Sequence, residues 1–439
     1  MTLGPGEFGG VIDELVAGKW RDPASGEAVS IPIRDIVIAR SLEGAEADLV
    51  HPLHKGKRTV VVSDEQTRAA MGRRVFRALK ALGGVEEYVW ANPRSSHEGV
   101  EELRHATRHA EALVAVGSGT VSDSVKYASF LDKKEYSVFA TSPMNAYTTP
   151  TASISFAGIK RSIPCHAAKG VFFDLEVLSA CPARFIRAAF ADVICRTTAQ
   201  VDWLMSHMLF DTPYRQTPYT LLAYDEDGLL DTAAALPGGN IGALALLTRI
   251  SAIMGLGTFF AGTTHSGSMA EHMISHYIDM FAGDAHPGTS HGEQVGVATL
   301  SVSALQNEIL GSPSAPELRP SVVARDRLAG RYGPEIADHM VAQTRAKSID
   351  AAMAARINRL WARDWAGFVA PLRAVMLPRA RLWRAMSDVG AGRTAGEIGL
   401  DAGIYRDAVR DARFTRDRFT ILDLAGDSGL LADFADRCP

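Results

Sequence analysis

Glu271-His-Met-Ile-Ser-His276 carries two imidazoles at i and i+4, a spacing that stacks both on one face of a helix. Five of the thirteen histidines fall between His265 and His291, so this is not an evenly scattered surface population. His291 stands in Ser290-His-Gly-Glu293, just after Pro287-Gly288, where the next helix is predicted to begin. A third donor is Asp192, inside Ala188-Ala-Phe-Ala-Asp-Val-Ile-Cys195. A lone acid on an apolar helix is costly to bury unless a cation or metal pairs with it. Two histidines on adjacent helices and one carboxylate would make an open metal site, leaving a coordination position for water or substrate. Zn²⁺ suits that donor set, and Ni²⁺ or Fe²⁺ would also bind it.

A second group of residues points to a nucleotide. Gly117-Ser-Gly-Thr-Val-Ser-Asp-Ser-Val-Lys126 lies between a predicted strand and a predicted helix. Small residues there let the main chain turn sharply and bring its N–H groups to phosphate oxygens, and the helix N-terminus adds partial positive charge. The spacing is not the G-x-G-x-x-G fingerprint. Asp64, at the end of the run Arg58-Thr-Val-Val-Val-Ser-Asp64, could accept hydrogen bonds from ribose hydroxyls. Its charge would repel a 2′-phosphate and so favours NAD over NADP.

These residues need a scaffold. A short helix is predicted near 6–20 and a strand around 31–37. Short apolar strands at 58–64, 87–92, 112–116 and 136–141 then alternate with helices, and a last strand covers 170–174. That alternation means βαβ units and a parallel sheet covered on both faces. The segment from Thr141 to Ser155 is rich in Ser, Thr and Pro and reads as irregular. From Pro182 the strand signal stops, and helices, the first over 184–209, run to the C-terminus. The chain is therefore expected to divide into an α/β dinucleotide-binding domain, 1–182, and a helical metal-binding domain, 183–439. Residues 250–270 carry no Asp, Glu, Lys or Arg, but Gly-Thr-Thr-His and Ser-Gly-Ser within them argue for a buried helix running into a polar turn rather than a membrane span.

Composition narrows the class. A chain of 439 residues with 47% hydrophobic residues can bury sizeable cores, which excludes a disordered or fibrous protein. The 46 Lys+Arg against 50 Asp+Glu, with no long block of one sign, make nucleic acid an unexpected partner. Four cysteines without a C-x-x-C pair, and a start lacking a basic and an apolar region, lead us to expect reduced thiols, a cytoplasmic location and no signal peptide. A homodimer or higher homo-oligomer would suit an apolar helical surface.

Taken jointly, residues 117–126, Thr141-Ser-Pro-Met-Asn-Ala-Tyr-Thr-Thr149, Phe190-Ala-Asp192, Glu271–His276 and His291-Gly-Glu-Gln-Val-Gly296 resemble the sn-glycerol-1-phosphate dehydrogenases. These belong to the superfamily of metal-dependent alcohol dehydrogenases, glycerol dehydrogenases and dehydroquinate synthases. The resemblance covers roughly 55–310. It implies a Rossmann-like α/β N-terminal domain with a parallel sheet, an all-α C-terminal domain and an active site in the cleft between them. It implies Asp192, His272 and His291 as metal ligands, with His276 facing substrate and, with Asp192, serving catalysis. Cofactor contacts would be Asp64, Gly117, Gly119, Thr120, Asp123, Thr141, Ser142 and Thr149. The implied reaction is hydride transfer between NAD or NADP and a phosphorylated triose, dihydroxyacetone phosphate. Asn145 and His276 would touch that substrate, with Lys160 beside Arg161 as the candidate for its phosphate.

Two positions depart from the family: Asn145-Ala146 stands where Asp-Gly is usual, and Thr149 where Ser is usual. The first removes a charge from a substrate-contacting position. Rival readings are a dehydrogenase for an unphosphorylated polyol, a cyclase of the dehydroquinate-synthase type, and a metal-free binding protein. The cyclase would show Gly-Gly-Lys where this chain reads Thr151-Ala-Ser-Ile-Ser155, and the three filled ligand positions argue against the last.

Overall fold

The computed structural model describes residues 8–157 and 159–438. Its strands are β1 (Asp35–Ala39), β2 (Thr59–Ser63), β3 (Val85–Val89), β4 (Ala112–Gly117), β5 (Glu135–Ala140), β6 (Thr151–Phe156), β7 (Ile159–Pro164) and β8 (Gly170–Asp174). Six form one sheet in the order β1-β8-β5-β4-β2-β3, every neighbouring pair parallel. All residues of β2, β4 and β8 are buried, which is why they read as unbroken apolar runs rather than alternations. Val61, Val114, Val116, Phe139 and Phe172 form part of the core, with the two phenyl centroids 4.8 Å apart. From β2 the chain adds β3 on one side, and from β4 it adds β5 on the other. Such a reversal leaves a crevice at the carboxyl ends of the two central strands. Asp64 and Gly117–Gly119 sit at those ends.

Most predicted strands are found within two residues of their expected bounds. The first is displaced, to Asp35–Ala39. The opening helix covers Val11–Val16; Gly6 and Glu7 of its predicted span lie outside the described residues. The Ser/Thr-rich tract runs into an antiparallel hairpin, β6 with β7. Ala152 and Ile154 are buried and alternate with half-exposed Thr151 and Ser153, a strand whose polar partners are common loop residues.

The chain resolves into two compact units whose bounds differ from the expected single split at 182. The first holds the described residues up to Ala189 together with Gln216–Thr263. The extra segment joins the sheet because its long helix, Ile241–Ala261, packs on the turn after β5. There Thr148 Oγ1 donates to the Ala252 carbonyl at 2.7 Å and Ser251 Oγ to the Pro143 carbonyl at 2.8 Å. A Cβ on Gly255 would fall 2.1 Å from Thr148 Oγ1 and 2.4 Å from the Asn145 carbonyl, so only glycine permits this approach. The helix is long and apolar enough to span a membrane but is mostly buried within the fold, and it ends in the polar turn Thr264–Gly267.

The second unit comprises Phe190–Arg215 and the described residues from Thr264 onward. It is helical, around a core that includes Met273, Ile274, Tyr277, Val297, Trp361 and Phe368. The single helix expected over 184–209 is two, Ala183–Val193 and Arg196–Phe210, with a break at Ile194-Cys195. A buried ionic knot pins its C-terminal part. Lys347 Nζ donates to Asp423 Oδ2 at 2.8 Å and to the carbonyls of Arg413 and Arg418 at 2.6 and 3.0 Å. Arg413 pairs in turn with Asp427 and Asp423. The four cysteines are free thiols.

One histidine of the sheet unit makes stability acid-sensitive. His54 is buried, with Nε2 2.8 Å from Ser137 Oγ and Nδ1 3.8 Å from Glu135. Burial pushes its pKa from 6.5 down to about 4; Glu135 opposes the shift, while Lys57 and Lys169 add to it. The unfolded chain takes up this proton near pH 6.5 while the folded chain resists it. The contribution is thus complete above that pH and is lost as the pH falls towards 4. Between pH 7 and 5 the loss should be about 2 kcal/mol. Urea unfolding at the two pH values measures it, and His54→Gln should flatten the difference.

Candidate metal centre

Asp192 lies in the last turn of Ala183–Val193, His272 in the first turn of Ala270–Phe281, and His291 opens His291–Gly311. Ser290 starts that helix with a capping box, Glu293 Oε2 accepting from the Ser290 N–H at 2.7 Å. The donor atoms of Asp192, His272 and His291 all lie within 4.8 Å of one another. His272 Nε2 is 3.6 Å from Asp192 Oδ1. The ring centroids of His272 and His291 are 5.0 Å apart, and His276 lies 5.5 Å from His291 and 6.3 Å from His272. All these residues belong to the helical unit.

Main-chain packing brings the ligand helices together. A Cβ on Gly296 would lie 2.6 Å from the Ala191 Cβ and 2.8 Å from the Met386 Cε. Glycine there lets the helix carrying His291 press against the residue beside Asp192.

Hydrogen bonds then orient each ring. His272 Nδ1 donates to Glu271 Oε1 at 3.0 Å. Glu271 is fully buried and also accepts from the Met269 N–H at 2.8 Å and from Thr198 Oγ1 at 3.1 Å. Burial alone would raise the Glu271 carboxyl; the His272 and backbone bonds outweigh it and hold it below its ordinary range. Ser275 Oγ has one proton, and at 2.7 Å from the Gln294 Oε1 acceptor it is spent there. The contact between Ser275 Oγ and His291 Nδ1, at 3.0 Å, is therefore donated by the ring. Gln294 is fixed by its Nε2, which donates to Asp279 and Thr289. Both imidazoles thus keep Nδ1–H and present the Nε2 lone pair, the orientation metal-bound histidines need. One carboxylate and two neutral imidazoles so arranged fit a divalent cation.

His276 is held differently. Arg416 Nη2 lies 3.0 Å from its Nε2. A guanidinium only donates, so Nε2 accepts and the ring proton is on Nδ1. Glu271, Ser275, Gln294 and Arg416 were not singled out from the sequence. Ser275 lies three residues after His272, and Gln294 three after His291, a helical spacing that could have flagged these two polar supports.

The sheet unit gathers the nucleotide candidates. Asp64 caps Glu65–Thr67, its Oδ1 accepting from the Thr67 N–H at 2.7 Å. Gly119 opens the helix Gly119–Leu131, and a Cβ there would meet no protein atom within 4 Å; Thr120 follows it. That open space over a helix N-terminus suits a phosphate. Gly117 instead is packed, its absent Cβ falling 2.6 Å from Val121. Asp123 is engaged with Lys126 Nζ at 3.1 Å and with the Ser153 N–H at 3.1 Å, so it braces the hairpin. Ser142 Oγ bonds Tyr147 OH at 2.9 Å, and that phenol donates to the Gly117 carbonyl at 3.1 Å, tying the turn after β5, with Thr141, to the glycine loop. Thr149 Oγ1 bonds Thr151 and Thr258. Asn145 begins the short helix Asn145–Tyr147, and Lys160 lies on β7.

The model of the iron-containing alcohol dehydrogenases matches residues 37–182. Glycerol-1-phosphate dehydrogenase (NAD(P)+) of Halalkalibacterium halodurans is 30% identical over 254 residues, 56% of this chain and 64% of that protein. Its namesake from Geobacillus thermodenitrificans is 29% identical over 255 residues, 55% of this chain and 62% of that protein. The alignments thus span somewhat less than two thirds of these relatives. Among solved structures, a probable glycerol dehydrogenase from Sinorhizobium meliloti superposes with a TM-score of 0.57 at 17% identity, covering 92% of this chain and 98% of that one. The α/β sheet and the helical region implied by the resemblance are both present, and the fold is shared with that solved structure.

Proposed function

We propose that the chain is a divalent-metal-dependent, NAD(P)-linked dehydrogenase that interconverts dihydroxyacetone phosphate and sn-glycerol 1-phosphate. The observation that carries the reading is the convergence of Asp192, His272 and His291, with both rings locked to present Nε2. The names of the two relatives supply the substrate. Asp192, His272 and His291 would hold the ion, and the turn at Gly119 with Asp64 would take the cofactor's diphosphate and ribose. When bound, the ion supplies Lewis acidity toward a carbonyl oxygen and the nicotinamide supplies the hydride.

The chain's own residues orient and protonate. His276, one helical turn from His272, would orient a substrate oxygen, and its contact with Arg416 fixes the ring. Asn145 offers an amide where a carboxylate is usual and so binds a hydroxyl without adding charge. Asp64 disfavours a 2′-phosphate, so NADH should serve better than NADPH.

The test is NADH and NADPH oxidation by the purified, metal-loaded protein with dihydroxyacetone phosphate, dihydroxyacetone and sugar phosphates, before and after chelation. Oxidation with the triose phosphate, abolished by chelation and restored by a divalent ion, is expected. Turnover of dihydroxyacetone but not its phosphate would replace this reading with a polyol dehydrogenase; turnover insensitive to chelation would remove the metal from it.

A further inference from the structure

We propose that Arg416 and Arg418 bind the phosphoester dianion of the substrate. The inference rests on the reading above that the substrate is phosphorylated, and it moves the phosphate contact from Lys160 to the helical unit.

Both arginines lie between the turn Ala412–Phe414 and the helix Ile421–Asp427. Arg416 reaches His276 Nε2 at 3.0 Å and Ser268 Oγ at 3.2 Å. Arg418 Nη1 reaches Thr264 Oγ1 at 3.2 Å and the Ser268 carbonyl. The two guanidiniums therefore converge on Ser268, one hydrogen bond beyond the histidine that neighbours the metal ligands.

What sets them apart is the lack of a direct ion pair. Among the described residues neither guanidinium has a carboxylate within ion-pairing distance, and Arg418 Nε is a buried donor without an acceptor. Buried Lys347 and Lys126 and half-buried Arg249 are paired directly, with Asp423 at 2.8 Å, Asp123 at 3.1 Å and Asp225 at 2.6 Å. Burial, and then Arg416, pulls the Arg418 pKa down to about 9, and the more distant charges of Asp417 and Glu271 only partly oppose the shift. Two half-buried cations kept side by side repel each other, and an anion between them would offset that repulsion. Two guanidinium forks match the oxygens of a phosphate, and the Ser268 and Thr264 hydroxyls add donors. The Lys347 bonds to the carbonyls of Arg413 and Arg418 hold the segment in place before any anion arrives.

The experiment measures inorganic phosphate binding to the metal-loaded protein by calorimetry, beside steady-state kinetics. The wild type should bind phosphate, and phosphate should compete with dihydroxyacetone phosphate. Arg416→Gln and Arg418→Gln should each weaken phosphate binding about tenfold or more. Each should also lower the ratio of kcat/KM for dihydroxyacetone phosphate to that for dihydroxyacetone by a similar factor, and the Arg→Lys variants should restore part of it. Absence of phosphate binding by the wild type overturns the proposal without any variant having to fold. So does a rise in KM for NADH in place of the triose phosphate, which would assign the arginines to the cofactor. If no substrate supports NADH oxidation yet both Gln variants lose phosphate, the anion site stands and the functional reading fails. If dihydroxyacetone is turned over and phosphate does not bind, the anion site fails and the oxidoreductase stands.

Discussion

Asp192→Ala should leave a folded protein that retains no divalent ion and has lost about a thousandfold or more of its turnover. The carboxylate is the sole anionic donor among the three converging side chains, so its removal leaves two neutral imidazoles for a dication. Lewis-acid stabilisation is worth several kcal/mol, and each 1.4 kcal/mol is a decade in rate. The fold should tolerate the change, because the variant removes a buried charge rather than exposing one. Metal analysis of the purified variant and its NADH turnover are the measurements, with unfolding by urea as the control. Ser275→Ala should act more mildly, lowering metal affinity by roughly 10–100-fold, because it frees the His291 ring without deleting a ligand. A stoichiometric ion retained by Asp192→Ala would sink the assignment of the centre.

Lys347→Met should destabilise the protein by about 3–5 kcal/mol, the usual consequence of removing one partner of a buried ion pair. Asp423 would keep only Arg413 as a cationic neighbour, and the carbonyls of Arg413 and Arg418 would lose their shared donor. Urea unfolding reports the loss. Pairing the change with Asp423→Leu should recover part of it, since an apolar pair of similar bulk avoids the stranded charge. A loss below about 1 kcal/mol would show that the knot is dispensable.

Much of this was legible in the sequence, for reasons that differ by element. β2, β4 and β8 are buried on both faces, so hydrophobicity alone marks them. The candidate donors were legible because an i, i+4 histidine pair and an acid on an apolar helix each violate what a plain core needs, and the structure brings Asp192, His272 and His291 together. The hairpin β6–β7 was not, because its half-exposed positions are filled by Ser and Thr, residues equally at home in turns. The attachment of Gln216–Thr263 to the sheet unit was hidden because a charge-free helix announces burial but not its neighbour; Gly255 and Thr148 make the match only in three dimensions. Arg416 and Arg418 were passed over for a related reason. An arginine reads as surface until the structure shows two guanidiniums turned onto one serine.

The close seat of Gly296 on Ala191 has a consequence for the donors. Because Ala191 neighbours Asp192 and Gly296 lies on the helix that His291 opens, this contact sets the spacing of two helices that carry candidate donors, and a larger residue at 296 should push Asp192 and His291 apart.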